Sequence, residues 1–226
     1  MKKNLVILGS TGSIGKSLLK IISKDKKNFN IILLSANKNF KQLLNQTKKF
    51  NVKNVIVNNE KIYEKFKKYN KNKKLSIYKN FDDLKKIFKE KIDYTMSCIV
   101  GLDGLEPTFK IIRYPKKIAI ANKETLICAW DLILKQMKKY KTEFVPVDSE
   151  HFSIWSEIKD MNSSKIQEVI ITASGGPFFN LKNKKIKKTP KLATNHPNWK
   201  MGKKISTDSA NLMNKVFEVI EAKKIF

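Results

Sequence analysis

The apolar run at residues 4–8 breaks at Gly9-Ser-Thr-Gly-Ser-Ile-Gly15 and passes into an amphipathic segment reaching residue 22. No other stretch restricts the fold as strongly. A buried strand that stops at glycines three apart and restarts as a helix turns tightly enough to approach a diphosphate. The free amides and dipole of the following helix favour that negative charge. The spacing is Gly-x-x-Gly-x-x-Gly and not the stricter Gly-x-Gly-x-x-Gly, so an ordinary strand-to-helix turn is the competing reading. Read as a dinucleotide fingerprint, it predicts an α/β, doubly wound sheet, with cofactor contacts from Gly9, Ser10, Thr11, Gly12, Ser13, Ile14 and Gly15.

The alternation that follows fits such a sheet. Strands are expected at 30–35, 54–57, 75–78, 94–100, 117–121 and 143–147, and helices at 40–50, 61–69, from 104 to near Arg113, and to about Tyr140. The second strand ends in Ala36-Asn37-Lys38-Asn39 with no acidic residue. A carboxylate there would hold a ribose 2′-hydroxyl and repel a 2′-phosphate, so Asn37, Lys38 and Asn39 favour NADP, with Asn37 a candidate for a left-handed turn. A plain lysine-rich loop is the alternative. Residues 40–93 carry lysines on outer helix faces and are assigned solvation and no chemistry, with 71–74 expected as a mobile loop. Asn122, Lys123 and Glu124 fall at the carboxyl edge of the sheet, where an amide and a lysine reach a ribose, a nicotinamide amide or a substrate oxygen; helix capping is the alternative for Asn122 and Glu124.

The formal net charge of +27 raises nucleic acid or an anionic membrane as partners. The charge is nearly all lysine, with Arg113 the only arginine, and arginine is the side chain suited to bidentate phosphate and guanine contacts. No nucleic-acid or membrane partner is expected. The apolar runs are too short to span a bilayer, and the N-terminus runs straight into a strand. Cys98 and Cys128 have no metal spacing around them and are expected reduced and buried, in a cytoplasmic protein or an organelle matrix of plastid type.

In the second half Asp148 and Glu150 stand two apart after the run 143–147. As a strand, that run would place both carboxylates on one face, a seat for a hard metal; solvated turn residues are the plainer alternative. Residues 168–173 read as a strand broken at Ser174-Gly-Gly-Pro177, suited to a phosphate. A long lysine-rich loop to about Thr194 precedes His196-Pro-Asn-Trp199-Lys-Met201-Gly202, with the length of a lid. Ser206 to Ser209 is expected to cap a helix on which Asn214, Lys215 and Glu218 share one face.

These motifs, from Gly9–Gly15 through Ala121–Glu124, Pro146–His151, Ser174–Phe178 and His196–Ile205 to Asp208–Glu218, resemble in order the 1-deoxy-D-xylulose-5-phosphate reductoisomerase family. The resemblance implies a Rossmann-type NADPH-binding domain over 1–147, followed at 148–226 by the start of an α+β catalytic domain. It implies a metal-dependent rearrangement of a sugar phosphate and then hydride transfer from NADPH. Asp148, Glu150 and Glu218 would be the ligands of Mg²⁺ or Mn²⁺, with Lys123 and His196 also in the catalytic set. Ser149, Ser174, Ser209, Asn214 and Lys215 would meet the substrate, His196, Trp199 and Met201 would form the lid over substrate and nicotinamide, and Gly202 would bind the cofactor. The sequence departs from the family at Asn37, at Asn211 and at Val216-Phe217, the last expected to tilt the metal-bearing helix. The ending at Lys224-Ile-Phe226 is expected to correspond to roughly the first half of the enzyme, the alternative function being an NADP-binding fragment without activity. A homodimer is implied for the full-length family, without fixing the state of this chain.

Overall fold

The structure, a computed structural model, describes residues 1–70, 74–161, 166–173, 175–179, 189–196 and 202–226. It divides into two compact units, Met1–Val147 and Asp148–Phe226.

The first unit is one seven-stranded sheet. Strands β1 (Lys3–Leu8), β2 (Phe29–Ser35), β3 (Asn54–Ile56), β4 (Ser76–Tyr78), β5 (Ile92–Ser97), β6 (Pro115–Ile120) and β7 (Glu143–Pro146) lie in the order β4-β3-β2-β1-β5-β6-β7. Every neighbouring pair is parallel. The crossovers carry α1 (Ser13–Lys24), α2 (Phe40–Phe50), α3 (Glu60–Tyr69), α4 (Leu84–Ile87), α5 (Leu105–Ile111) and α6 (Lys123–Tyr140). The expected α/β sheet is therefore formed. The chain winds outward from β1 to β4 and then restarts at β5 on the other side of β1, so the strand order reverses between β1 and β5, where doubly wound sheets open a crevice for ligands.

Parallel strands are covered on both faces, and this explains why their sequences are continuously apolar. Val6, Ile7 and Leu8 of β1 and Leu33 and Leu34 of β2 are wholly buried, with Leu43 of α2 and Phe66 of α3 packed over the sheet. Each such side chain contributes about 1.5–3 kcal/mol by leaving water. The strand expected at 94–100 ends earlier, at Ser97, because the chain leaves the sheet at Cys98 and reaches Gly101 at φ 76. On α6 the buried stripe is Leu126, Ala129, Trp130, Ile133 and Met137, spaced by three and four. Cys128 lies off that stripe and is exposed, which corrects the expectation that both cysteines are buried. At the other end of α6, Lys91 Nζ donates to the Tyr140 carbonyl at 2.7 Å, satisfying a helix-end acceptor.

The second unit contains α7 (Ser149–Ile158), α8 (Pro190–Ala193), α9 (Lys203–Ala210) and α10 (Met213–Ile225). Among its described residues there is no strand. The run 168–173, expected to be one, is irregular: Val169 and Ile170 are exposed, and no neighbouring strand supplies the ladder bonds a strand needs. Ser206 to Ser209 lies inside α9 and does not cap the helix bearing Asn214. Leu212, at φ 63, separates the two helices, and Asn211 Oδ1 accepts the Met213 N–H at 3.0 Å. Within the expected lid loop, Thr189 caps the short α8, whose first residue is Pro190; residues 180–188 lie outside the described part, as do 71–73. No helix among the described residues is long and apolar enough to cross a membrane.

Candidate functional site

The glycine turn closes on itself and on β5. Gly9 has φ 79, and a Cβ there would lie 2.7 Å from the Cys98 carbonyl oxygen. A Cβ on Gly15 would lie 2.7 Å from both Gly9 O and Ser10 Cα, so only glycine lets α1 start this close to the end of β1. The Gly9 and Ser10 amides donate to Ser35 O at 3.1 and 2.9 Å, which ties the inner side of the turn to β2. Gly12 is the N-cap of α1 and makes no side-chain cap bond, leaving first-turn amides for an anion. Beside the turn, burial pushes the Cys98 thiol up to about 12 against the opposing pull of the Gly15 N–H, and Sγ donates to the Leu8 carbonyl at 2.9 Å. This thiol stays protonated and serves packing.

A cavity of about 820 Å³ opens at this point, the size of a cofactor site. Of the residues expected to bind cofactor, Gly9, Thr11, Gly12, Asn37 and Lys38 line it. The others do not. Ser10 is wholly buried with its hydroxyl turned to Gln46, Ser13, Ile14 and Gly15 build the first turn of α1, and Asn39 caps α2 by accepting the Gln42 N–H at 3.1 Å. Asn37 is not among the described residues at positive φ, so it does not take the expected left-handed turn. Asn122 is the N-cap of α6: Oδ1 accepts the Thr125 N–H at 2.8 Å, and Nδ2 donates to Ile99 O and Gly101 O. Both the capping role and a hold on the pocket-lining 99–101 segment are thus present. Lys123 and Glu124 are half-buried in the first turn of α6 and do not line the cavity. The sequence reading passed over Asn58 and Asn80, polar residues just beyond β3 and β4, and over Asp82 and Lys110, which pair at 2.5 Å at the same cavity.

The carboxylates meet within the second unit, though not by strand alternation. The strand ends at Pro146, and Asp148 is the N-cap of α7, its Oδ1 accepting the Glu150 N–H at 3.2 Å. Carboxylates at a helix N-terminus are favoured by its dipole. Asp148, Glu150 and buried Glu218 each present an oxygen within 4.8 Å of the others. Ser149 Oγ donates to Glu150 Oε2 at 2.6 Å, Asn214 Nδ2 donates to Glu218 Oε1, and Lys215 Nζ joins Glu150, at 3.2 Å, to Glu218. Burial pulls the Lys215 ammonium down, but its hydrogen bonds to Glu218 and Glu150 outweigh that and hold it above its ordinary range. Two residues outside the expected set join the cluster. Buried His151 places Nε2 2.9 Å from the Glu218 carbonyl oxygen and Nδ1 3.3 Å from Glu221 Oε2, itself buried. The scarcity of histidine, with only two in the chain, was the available signal.

The remaining expected residues are partly placed. His196 is buried, and exposed Gly202 is the N-cap of α9. A Cβ on Gly176, at φ 66, would lie 2.5 Å from Ser209 O, so the glycine turn packs against the end of α9. Ser174, Trp199 and Met201 lie outside the described residues. Phe217 sits under the Lys204 ammonium at 4.8 Å, and Val216 is exposed, while Asp148, Glu150 and Glu218 converge on the same side-chain cluster.

Residues 5–130 match the family model described as 1-deoxy-D-xylulose 5-phosphate reductoisomerase, and residues 144–226 match the model of that enzyme's C-terminal domain. The protein of that name from Pelagibacter ubique (strain HTCC1062) is 59% identical over 99% of this chain and 58% of its own length. The namesake from Caldanaerobacter subterraneus is 43% identical over 99% of this chain and 59% of its own length. Among solved structures, the Zymomonas mobilis reductoisomerase in complex with NADPH superposes with TM-score 0.86 at 34% identity, over 100% of this chain and 58% of that one. A DOX-P reductoisomerase in complex with NADPH, fosmidomycin and magnesium gives TM-score 0.88 at 34% identity, over 99% and 58%. The chain thus spans about 58% of the length of the relatives it matches, and it belongs to the 1-deoxy-D-xylulose 5-phosphate reductoisomerase family.

Proposed function

We propose that the chain carries the NADPH site and the metal and sugar-phosphate site of a reductoisomerase that converts 1-deoxy-D-xylulose 5-phosphate to 2-C-methyl-D-erythritol 4-phosphate, a step of non-mevalonate isoprenoid biosynthesis. The observation that carries this reading is the convergence of Asp148, Glu150 and Glu218 within 4.8 Å. An all-oxygen, anionic donor set of this kind fits a hard divalent ion, Mg²⁺ or Mn²⁺. Solved relatives that hold NADPH and magnesium support the same assignment.

In this reading residues 1–147 bind NADPH and residues 148–226 hold metal and substrate. Thr11, Gly12 and the first amides of α1 receive the diphosphate, and Asn37 and Lys38 meet the 2′-phosphate, with no acidic residue at the end of β2 to repel it. When bound, the metal supplies Lewis-acid stabilisation of oxyanion charge and NADPH supplies a hydride. Lys215 is the counter-charge of Glu150 and Glu218 and, once those carboxylates are ligated, is available to the substrate phosphate with Asn214, Ser209 and Ser174. By the family resemblance Ser149 and Lys123 are assigned to the reacting oxygens, and His196, Trp199 and Gly202 to the exclusion of water from them.

The test is oxidation of NADPH with 1-deoxy-D-xylulose 5-phosphate, with Mg²⁺ or Mn²⁺ and with a chelator, on this chain and on Asp148→Asn. Metal-dependent turnover that Asp148→Asn lowers by roughly a hundredfold or more supports the full reading, since removing one ligand weakens both charge and geometry. Binding of NADPH without turnover would leave a nucleotide-binding piece of the family.

A further inference from the structure

We infer that Gln46 is a positioning residue for the phosphate-binding turn, acting through Ser10 on the diphosphate of the nucleotide. The inference rests on the nucleotide reading of the cavity at β1 and β5.

Gln46 lies on α2, on the same buried face as Leu43 and Thr47. Its carboxamide makes two bonds to a single residue of the turn. Ser10 Oγ donates to Gln46 Oε1 at 2.8 Å, and Gln46 Nε2 donates to the Ser10 carbonyl at 3.0 Å. A carbonyl only accepts, so the amide orientation is fixed by the second bond. Ser10 is wholly buried although its neighbours Gly9, Thr11 and Gly12 all line the cavity. Ser35 fixes the other inward groups of the turn, accepting the Gly9 and Ser10 amides. The inner side of the turn is therefore pinned at the Ser10 hydroxyl, carbonyl and amide by one strand residue and one helix residue. The outer side, at Thr11 and Gly12, is presented to the ligand.

A glutamine on a helix stripe otherwise built for the core leaves water only because both its polar atoms are matched. Its match is a backbone whose φ and ψ decide where the ligand-facing amides point. The same helix is N-capped by Asn39, directly after Asn37 and Lys38, which also line the cavity. Gln46 thereby ties the diphosphate wall to the wall that carries the 2′-phosphate residues. Leucine at this position would fill the space and leave the Ser10 carbonyl and hydroxyl buried without the carboxamide.

The experiment is fluorescence titration of the 226-residue chain with NADPH and, separately, with adenosine 2′-phosphate, which lacks the diphosphate. For Gln46→Leu the expected result is a loss of roughly tenfold or more in NADPH affinity, the scale of one or two buried hydrogen bonds, with adenosine 2′-phosphate binding retained. Ser10→Ala, which removes only the hydroxyl bond, should lose less, and should add nothing in the Gln46→Leu background because the two act through one contact. Unchanged NADPH affinity in Gln46→Leu, or equal loss for both ligands, would overturn the inference. Should Gln46→Leu not fold, Ser10→Ala decides with the same two ligands: a loss confined to NADPH supports the inference, and none overturns it. A wild-type chain that fails to bind NADPH would refute the nucleotide reading itself and this role with it.

Discussion

The two units bury opposite kinds of side chain. In Met1–Val147 the interior is aliphatic and aromatic, from Leu5 to Met137, and the buried polar residues in it are uncharged, with Ser10, Gln46 and Asn122 matched by hydrogen bonds. In Asp148–Phe226 no large hydrophobic side chain among the described residues is buried, while His151, His196, Ser206, Glu218 and Glu221 are. Its apolar residues, among them Val169, Leu212, Val216 and Val219, face outward instead. The first unit is thus held by transfer of apolar area from water, a force that needs neither a metal nor a particular protonation state. The second is organised around charges, which are costly to bury unless paired or ligated.

The sharpest break between the units is mutational. Leu34→Ala, in the wholly buried end of β2, should cost about 2–5 kcal/mol in denaturant unfolding of the first unit. Val219→Ala, on the exposed face of α10, should stay within about 0.5 kcal/mol. Comparable losses at the two positions would mean that α10 has an apolar core after all. The next effect is ligation. If Asp148, Glu150 and Glu218 hold a divalent ion, Mn²⁺ or Mg²⁺ at a hundred times its dissociation constant should stabilise the second unit by about 2.7 kcal/mol. Hydrogen exchange would detect this as slowed amides in α7 and α10, with the β1 and β2 amides unaffected and the protection lost in Asp148→Asn. Protection spread equally over both units, or surviving that substitution, would break the distinction.

This contrast also explains what could be read from the chain. Period-two and period-3.6 apolar patterns report burial, so the seven strands and five of the six crossover helices of the first unit were legible to within a few residues; the four-residue α4 is too short to show a period. The glycines were legible because Gly9 and Gly15 each exclude a Cβ. In the second unit apolar pattern does not report burial. Residues 168–173 look like a strand by composition yet lie irregular and exposed, and the Ser206–Ser209 cap signal falls inside a helix. Helical spacing put Asn214, Lys215 and Glu218 on one face, but only the family resemblance joined Glu218 to Asp148 and Glu150, and the means of bringing Asp148 to Glu150, a helix N-cap, was misread as a strand edge. Gln46 was passed over because lysines dominate α2, although a glutamine three residues after buried Leu43 stands on the core stripe.

The smallest expected effect concerns charge inside the apolar unit. Asp93, in β5, accepts the Asn4 N–H at 2.8 Å and pairs with Lys116 at 2.9 Å. The Asn4 amide first, and then the Lys116 ammonium, hold its carboxyl below the usual carboxylate range. A carboxyl with a depressed folded-state pKa contributes stability that is full above its unfolded value and is lost as pH falls through the folded one. For Asp93 that window lies below about pH 4, the unfolded carboxyl value. Denaturant midpoints of the wild-type chain and Asp93→Asn should therefore differ at pH 6, with the wild type the more stable, and converge as pH is lowered through the window. The gap should be small, because the pair is partly solvated and screened by salt. A gap that instead widened on acidification would reverse the assigned sign. It would also mean that the edge between β1 and β5 is governed by charge in the way the second unit is.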